Sequence, residues 1–432
     1  MIDPDNLKLG TRTLERYMKL FREKELAQKL MNKVSQEIIS SLNIQVDKQR
    51  LDSTHIFSNM ANWSRSMLLF KTTKCFLIQV KRHESKLYYE LEEELRKLYN
   101  SQGNWLHEAT MLRNIRYGAH VCTNKEQVAW DMSFLIEHFS SHEKLVNMNS
   151  YKMMYRIFNE QCEQDNGKIK VRKHPGGKAI INPSDLDASV DQKGIGYQVQ
   201  VCQTFNEDNS VQVITAALPQ TASESDQNSI TPVIEILEGN NVKPKEMLAD
   251  SGYGSDENVM NLKEKNIDLV APVLGKNKTG FGLENFVFDE ENKIIECPIG
   301  KTPMSKSFDG EKGYAVFSNA KCGKCPNLKK CSVCKYGKQN YRVEYDLKRL
   351  RLCERTIYER SDEFKERYRF RNGIEALFGN LKQNTSLRRI RFRGKIAVYS
   401  SIYSILTMHN IIQMAKGLKS LNNNGGNEEV FC

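Results

Sequence analysis

The chain has 432 residues, enough for two or three domains or for one domain with large insertions. Hydrophobic residues make up 39% and charged residues 27%, so a core can form, but no run approaches the roughly 18 uninterrupted apolar residues of a membrane span. The net charge of +11 suits a polyanionic partner, and the Met1-Ile-Asp-Pro start lacks the charged and apolar regions of a secretory signal.

Residues 11–42 read as a helix, with Leu14, Met18 and Phe21 spaced for one face. The next stretch, 43–56, carries Ile44, Val46, Leu51 and Thr54 and fits a short strand or pair of strands around Asp52. Residues 58–160 are mostly helical, with a clear amphipathic segment at 88–99. From Cys162 to Gly196, Gly, Pro, Asn, Asp and Lys dominate, which predicts a loop or linker. The period then changes to two over 196–205 and 211–218, a β-hairpin closed by Asn206 to Ser210.

A helix is expected over 223–239, a short buried strand over 246–250 and a turn at Ser251-Gly-Tyr-Gly. Ser255 can cap a helix over 256–265, and 267–273 reads as a further strand. Strand–helix–strand spacing of this kind implies parallel pairing in an α/β sheet. Residues 275–345 interrupt with Gly, Lys and Cys. Helices return over 345–386 and 393–416, and the polar tail reads as disordered.

The eleven cysteines suggest reduced thiols or metal binding rather than disulfides. Cys322, Cys325, Cys331 and Cys334 form two Cys-x2-Cys knuckles, and Cys297 is a fifth candidate. Four thiolates suit tetrahedral zinc, although the five-residue gap between the knuckles is short, so one ligand can come from Cys297. Metal-free thiols and an iron–sulfur cluster are the other readings. Cys75, Cys122, Cys162, Cys202, Cys353 and Cys432 read as core or incidental, and the eight histidines show no ligand spacing.

Three carboxylates stand out by context. Asp52 lies within a strand, Asp250 ends one, and Glu375 falls in a basic helix. Each has a plain structural reading: Asx turns for the two aspartates, a helical ion pair with Arg371 for Glu375. Tyr368, Arg371, Glu375 and Lys382 are offset by 0, 3, 7 and 14 positions. At about 100° per residue they share one stripe of one helix. From Phe364 to Lys395 there are ten Lys or Arg and two Glu, a net +8. Acids beyond strand ends, joined by one from a covering helix, can hold two Mg²⁺ ions for phosphodiester cleavage, with nearby cations holding phosphate.

In this order the segments resemble the DDE transposases of bacterial insertion sequences, the branch with a Tyr-x2-Arg-x3-Glu-x6-Lys signature. Tyr368, Arg371, Glu375 and Lys382 match that spacing without a gap. QRLDSTHIFSN around Asp52 and LADSGYGSDEN around Asp250 resemble the segments holding the family's first and second catalytic aspartates. SDLDASVDQKGIGYQVQV resembles the run into the second and third strands, and the likeness extends from about residue 10 to 415.

The resemblance implies an α/β, RNase H-like mixed sheet and strand cleavage and transfer at insertion-sequence ends with Mg²⁺ or Mn²⁺. It implies Asp52, Asp250 and Glu375 as catalytic metal ligands and Tyr368, Arg371 and Lys382 as DNA contacts. Arg388, Arg389, Arg391 and Arg393 extend the expected DNA-binding set. Asp185, Asp187 and Asp191 are rival acids in a Gly/Pro-rich loop. The expected partners are double-stranded DNA and a second copy of the chain in a synaptic homodimer, with no membrane, in a bacterial cytoplasm beside the nucleoid.

The organisation expected is a shortened N-terminal helical segment, 1–42, and a first part of the core, 43–274, carrying a helical insertion at 58–160. A Cys-rich insertion, a candidate for structural zinc, follows at 275–345, then C-terminal helices at 346–417 and a tail at 418–432. The long helical insertion departs from a minimal RNase H-like order. The short N-terminal segment leaves a second reading open: a domesticated or truncated, transposition-defective DNA-binding protein with the same fold.

Overall fold

The computed structural model describes residues 10–61, 63–100, 124–165, 168–275, 280–337 and 339–424. Two helices, α1 (Thr11–Glu23) and α2 (Leu26–Ser41), replace the single helix expected over 11–42. The break falls at Glu25, whose φ of 52° is left-handed and ends the helical run. No α1 residue is buried and Leu14 and Met18 are exposed, whereas α2 buries Ala27, Met31, Ser35 and Ile38.

One mixed sheet organises the chain. Its centre is β1 (Lys48–Phe57), a single strand through Asp52. The others are β2 (Ser189–Asp191), β3 (Gly194–Thr204), β4 (Ile214–Thr221), β5 (Glu246–Ala249) and β6 (Asp268–Val270). The order is β2-β3-β1-β5-β6, with β4 also paired to β3. β3 runs antiparallel to β1, β2 and β4, forming the expected hairpin with β4. β5 runs parallel to β1 and β6 parallel to β5, with the expected crossovers α3 (Asp226–Gly239) and α4 (Asp256–Glu264) between strands. Ser255 caps α4, accepting from Asn258 N at 3.2 Å.

Side chains alternate across β1, and both faces are covered. Leu51 packs with Ile230, Val233 and Ala249 on one face. Ile56 packs with Ile374, Leu377 and Leu381 on the other. Asp52 is four residues before Ile56 and so shares the second face.

That second face is covered by the C-terminal helices α6 (Asp362–Tyr368), α7 (Asn372–Asn384) and α8 (Lys395–Asn424), while α5 (Leu347–Tyr358) buries Leu350 and Cys353 with Phe317, Val343 and Tyr345. Phe364 of α6 packs against Leu248 and Val270. Arg367 anchors the same helix to Glu246, at 2.9 Å, and to Asp268. The last helix continues to Asn424, past the expected end at 416, and residues 425–432, including Cys432, lie outside the described residues.

Two segments depart from the sequence reading. The stretch 162–196 is not all loop: Cys162–Asp165 and Lys168–Val171 form an antiparallel ribbon, and β2 follows. Its polar composition hides a short alternation that buries Ile169. The stripe expected on one helix is bent, because α6 ends at Tyr368, Arg369–Arg371 form a 3-10 turn and α7 starts at Asn372. Arg50 Nη1 takes the Phe370 carbonyl at 2.9 Å, an oxygen that a continuous α-helix would give to the amide four residues on. Gly373 makes room for this, since a Cβ there would stand 1.8 Å from Arg50 Nη1.

The insertion after β1 has its own core, with Phe70, Phe76, Met132, Phe139 and Ile157 buried together. Helices Arg65–His83, Asn124–His138 and Asn149–Gln161 supply most of it, and 101–123, with Cys122, lies outside the described residues. Within 275–345, strands Ser305–Phe308, Lys312–Ser318, Asn340–Asp346 and Cys334–Tyr336 form a separate antiparallel sheet.

Candidate active site

Parallel pairing of β1 with β5 sets two of the acids. Leu51 pairs with Ala249 at the end of the parallel ladder, so Asp52, still within β1 and paired with Val201 of β3, lies beside Asp250, the residue just past β5. Asp250 Oδ1 accepts from Gly252 N at 2.7 Å and opens the 3-10 turn Ser251–Tyr253. The turn role open to this aspartate is therefore realised, at the position beside Asp52.

Arg371 brings in the third acid. Its Nη2 donates to Asp52 Oδ2 at 2.7 Å and its Nη1 to Glu375 Oε1 at 2.6 Å. The fork thus joins a carboxylate of the sheet to one on α7. Asp52 is buried and also accepts from Ser53 N at 2.8 Å, whereas Glu375 is exposed. Burial raises the Asp52 carboxyl to about 6 despite the guanidinium and the Ser53 N–H, with Asp250 and Asp226 adding to the rise. Burial likewise raises the Tyr368 phenol to about 12, so it is a neutral donor at neutral pH. Its ring stacks on Phe364 with centroids 5.2 Å apart.

Not every expected residue converges here. Lys382 lies two turns beyond Glu375, about 10 Å along the helix axis. It sits near Lys193 and Arg388, and burial, then those two cations, lower its ammonium. Arg388, Arg389, Arg391 and Arg393 are all exposed. Arg393 Nε holds the Asn59 carbonyl at 2.6 Å, and Asn59 Nδ2 holds the Arg391 carbonyl at 2.9 Å, which pins this basic segment beside the end of β1.

The rival acids have other partners. Buried Asp185 accepts from Tyr197 Oη at 2.6 Å, Ser58 Oγ at 2.8 Å and Gly394 N at 3.1 Å. Asp187 accepts from Lys395 N at 2.8 Å, and Asp191 pairs with His55 at 3.0 Å. The first two fasten the start of α8.

One acid near the site had no mark in the sequence. Asp226, the first residue of α3, accepts from Gln200 Nε2 at 2.8 Å. A Cβ on Gly252 would stand 2.9 Å from Asp250 Oδ1 and 3.4 Å from Asp226 Cβ, so the two acids flank that glycine. An aspartate in a first helical turn is common for dipole reasons, and spacing offers no further signal.

Among the described residues, no three or more of His, Cys, Asp and Glu are gathered as they stand into an ion-binding group. At the carboxylates the reason is visible: Arg371 occupies the space between Asp52 and Glu375. The donor set itself, two aspartates and a glutamate with one guanidinium for balance, suits a hard divalent cation. Among the cysteines, Cys297, Cys322, Cys325 and Cys331 line one cavity, and burial pushes the Cys322 thiol up to about 11. Cys334 is exposed on its strand and does not line it.

Residues 296–415 match the family described as a transposase DDE domain, a span that includes Glu375 and both α7 and most of α8. A cryo-EM structure of the piggyBac transposase synaptic complex with hairpin DNA is similar at 11% identity over 87% of this chain and 78% of that chain. Its TM-score is 0.26, below the level of a shared fold. No curated protein matches the sequence. No helix among the described residues is long and apolar enough to cross a membrane.

Proposed function

We propose that the protein is a DNA transposase of the DDE type, cutting and rejoining strands at the ends of an insertion sequence. The observation that carries this reading is the Arg371 fork, which ties Glu375 to Asp52 beside Asp250. The match over 296–415 supports the class. The sheet, with antiparallel β3 and its hairpin partner β4 on one side of β1 and parallel β5 and β6 on the other, supports an RNase H-like core.

Asp52, Asp250 and Glu375 would hold Mg²⁺ or Mn²⁺, which when bound supplies activation of the attacking oxygen and stabilisation of the leaving one. The chain's own residues do the rest. Arg371, released from the carboxylates, is placed to take a phosphate with both arms of its fork. The Tyr368 hydroxyl can donate to a neighbouring phosphate oxygen. Lys382, Arg388, Arg389, Arg391 and Arg393 hold the flanking DNA backbone. Synapsis of two DNA ends calls for two copies of the chain.

The test is incubation of the full chain with Mg²⁺ or Mn²⁺ and DNA carrying the repeats that flank its reading frame. Cleavage at the ends, abolished by Asp250→Ala and by Glu375→Ala, is expected. Cleavage surviving either substitution would falsify the assigned site. Binding without cleavage would identify a transposition-defective DNA-binding protein, and cleavage without joining a nuclease.

A further inference from the structure

The segment 275–345 carries a second constellation that the carboxylate site does not use. Three chain segments bring Cys297, Cys322, Cys325 and Cys331 to the walls of one cavity of about 20 Å³, the room of roughly one water molecule. Phe281, Phe317, Leu328 and Val333 complete an apolar lining. Four thiols converging from different segments on a void of that size are unusual for plain core packing, which fills such space with hydrocarbon.

The backbone turns tightly at Cys297 and between Cys322 and Cys325. Cys322 O accepts from Cys325 N at 3.0 Å, a tight turn that sets the two residues of one knuckle close together. Cys297 O accepts from Gly300 N at 2.9 Å, and Gly300 adopts φ +75°, a conformation that L side chains rarely take. The Lys301 amide then donates to Cys297 Sγ at 3.4 Å.

The segments are also braced to one another. Lys301 Nζ reaches the Lys321 carbonyl at 2.7 Å, while Lys321 Nζ reaches the Thr302 carbonyl at 2.8 Å. These reciprocal bonds tie the Cys297 turn to the Cys322 turn. The Cys331 segment is held by Phe281, whose N donates to Lys330 O at 2.7 Å and whose carbonyl accepts from Ser332 N at 3.1 Å. Lys301 and Lys321 also offset the negative charge that four thiolates around one divalent ion would leave.

We infer that Cys297, Cys322, Cys325 and Cys331 form a tetrahedral thiolate site for one structural Zn²⁺, and that Cys334 is not a ligand. The sulfurs stand apart from the compact arrangement an ion requires, so binding draws them inward across the small cavity. A soft, closed four-sulfur set selects zinc over the hard cations suited to the carboxylates. The site clamps the loop at Phe281 and the two cysteine turns onto the core that contains Phe317, Val343 and Tyr345.

The test uses the full chain expressed with zinc, with metal content measured by mass spectrometry. About one zinc per chain is expected for the wild type and for Cys334→Ser, falling below about 0.2 in Cys297→Ser and in Cys322→Ser. Should a ligand variant fail to fold, Co²⁺ exchanged into the wild-type chain gives the second reading: intense sulfur-to-cobalt charge transfer and tetrahedral ligand-field bands. A wild type with less than about 0.2 zinc per chain that gives no such bands with Co²⁺ overturns the inference. So does iron with labile sulfide. Loss of zinc in Cys334→Ser with retention in Cys297→Ser overturns the choice of ligands. None of these readings depends on the carboxylate site or on DNA cleavage.

Discussion

Arg371 and Asp52 form one ion pair across 319 positions of sequence, with Nη2 2.7 Å from Oδ2. The pair closes the C-terminal helices onto the central strand at the point where Asp250 leaves the sheet. Arg371 also holds Glu375, so a single guanidinium neutralises part of a site built from repelling acids. In the proposed reaction this cation yields its place to metal and turns to phosphate.

Replacing Arg371 by Ala is therefore expected to raise the Asp52 carboxyl above its value of about 6, because the opposing charge is lost. Single-turnover DNA cleavage should fall by about 10²–10³-fold. Arg371→Lys should recover only part of this, since an ammonium cannot fork between two carboxylates. Wild-type cleavage by Arg371→Ala would remove this residue from the site.

The raised Asp52 carboxyl also sets a pH dependence. Its folded value of about 6 lies above the ordinary 3.8, so the folded state holds the proton more tightly than the unfolded chain. By linkage, this group makes the metal-free protein lose stability as pH rises from about 4 to about 6, with no further loss above. Metal binding needs the carboxylate. Mn²⁺ affinity, measured by calorimetry, should rise up to about tenfold per pH unit below 6 and level off above it. Asp52→Asn should bind weakly and lose that slope; an unchanged slope would assign the titration to another group.

Gly373→Ala tests the bend before α7. Alanine favours a helix interior by about 1 kcal/mol over glycine. Here its Cβ would stand 1.8 Å from Arg50 Nη1 and expel the guanidinium from the Phe370 carbonyl. A net destabilisation of about 1–3 kcal/mol is expected in urea titration. A more stable variant would show that Arg50 does not shape the turn.

Asp185 separates a fold-holding acid from the proposed catalytic ones. Asp185→Ala leaves Tyr197 Oη, Ser58 Oγ and Gly394 N without their acceptor. A loss of about 3 kcal/mol or more is expected from buried donors left unpaired. At low temperature, where the variant remains folded, cleavage per folded molecule should persist. If cleavage vanished while stability held, Asp185 would belong with the catalytic acids.

The exposed arginines should act through phosphate and salt. Removing Arg388 or Arg389 is expected to weaken DNA binding evenly across sequences and to reduce the slope of log affinity against log salt by about 1 each. Filter binding or anisotropy across a salt series reads this directly. An unchanged slope would place the DNA elsewhere.

Much of this architecture is legible in the order of residues alone. The alternation in β3 and β4 predicts a hairpin because side chains on a strand face opposite sides in turn. Ser255 predicts the start of α4 because a hydroxyl there satisfies an orphan amide. The Tyr368, Arg371, Glu375 and Lys382 spacing places three of the four residues around the acids. It puts Lys382 on the same stripe, but the helix is bent and Lys382 lies beyond the acids, beside Lys193 and Arg388.

The tertiary structure decided the relations that local periodicity does not encode. Parallel pairing of Leu51 with Ala249 brings Asp52 beside Asp250, and the Arg50 bond to Phe370 bends the stripe. Asp226 joins the acids because the start of α3 packs against the turn at Gly252. Cysteine spacing leaves open which of the five thiols share one cavity; the fold turns Cys297, Cys322, Cys325 and Cys331 toward it and leaves Cys334 exposed. Periods, caps and charge over a few turns are determined by the sequence, because they depend on near neighbours. Which distant side chains meet depends on strand register and on how closely backbones can pack, and these are properties of the folded whole.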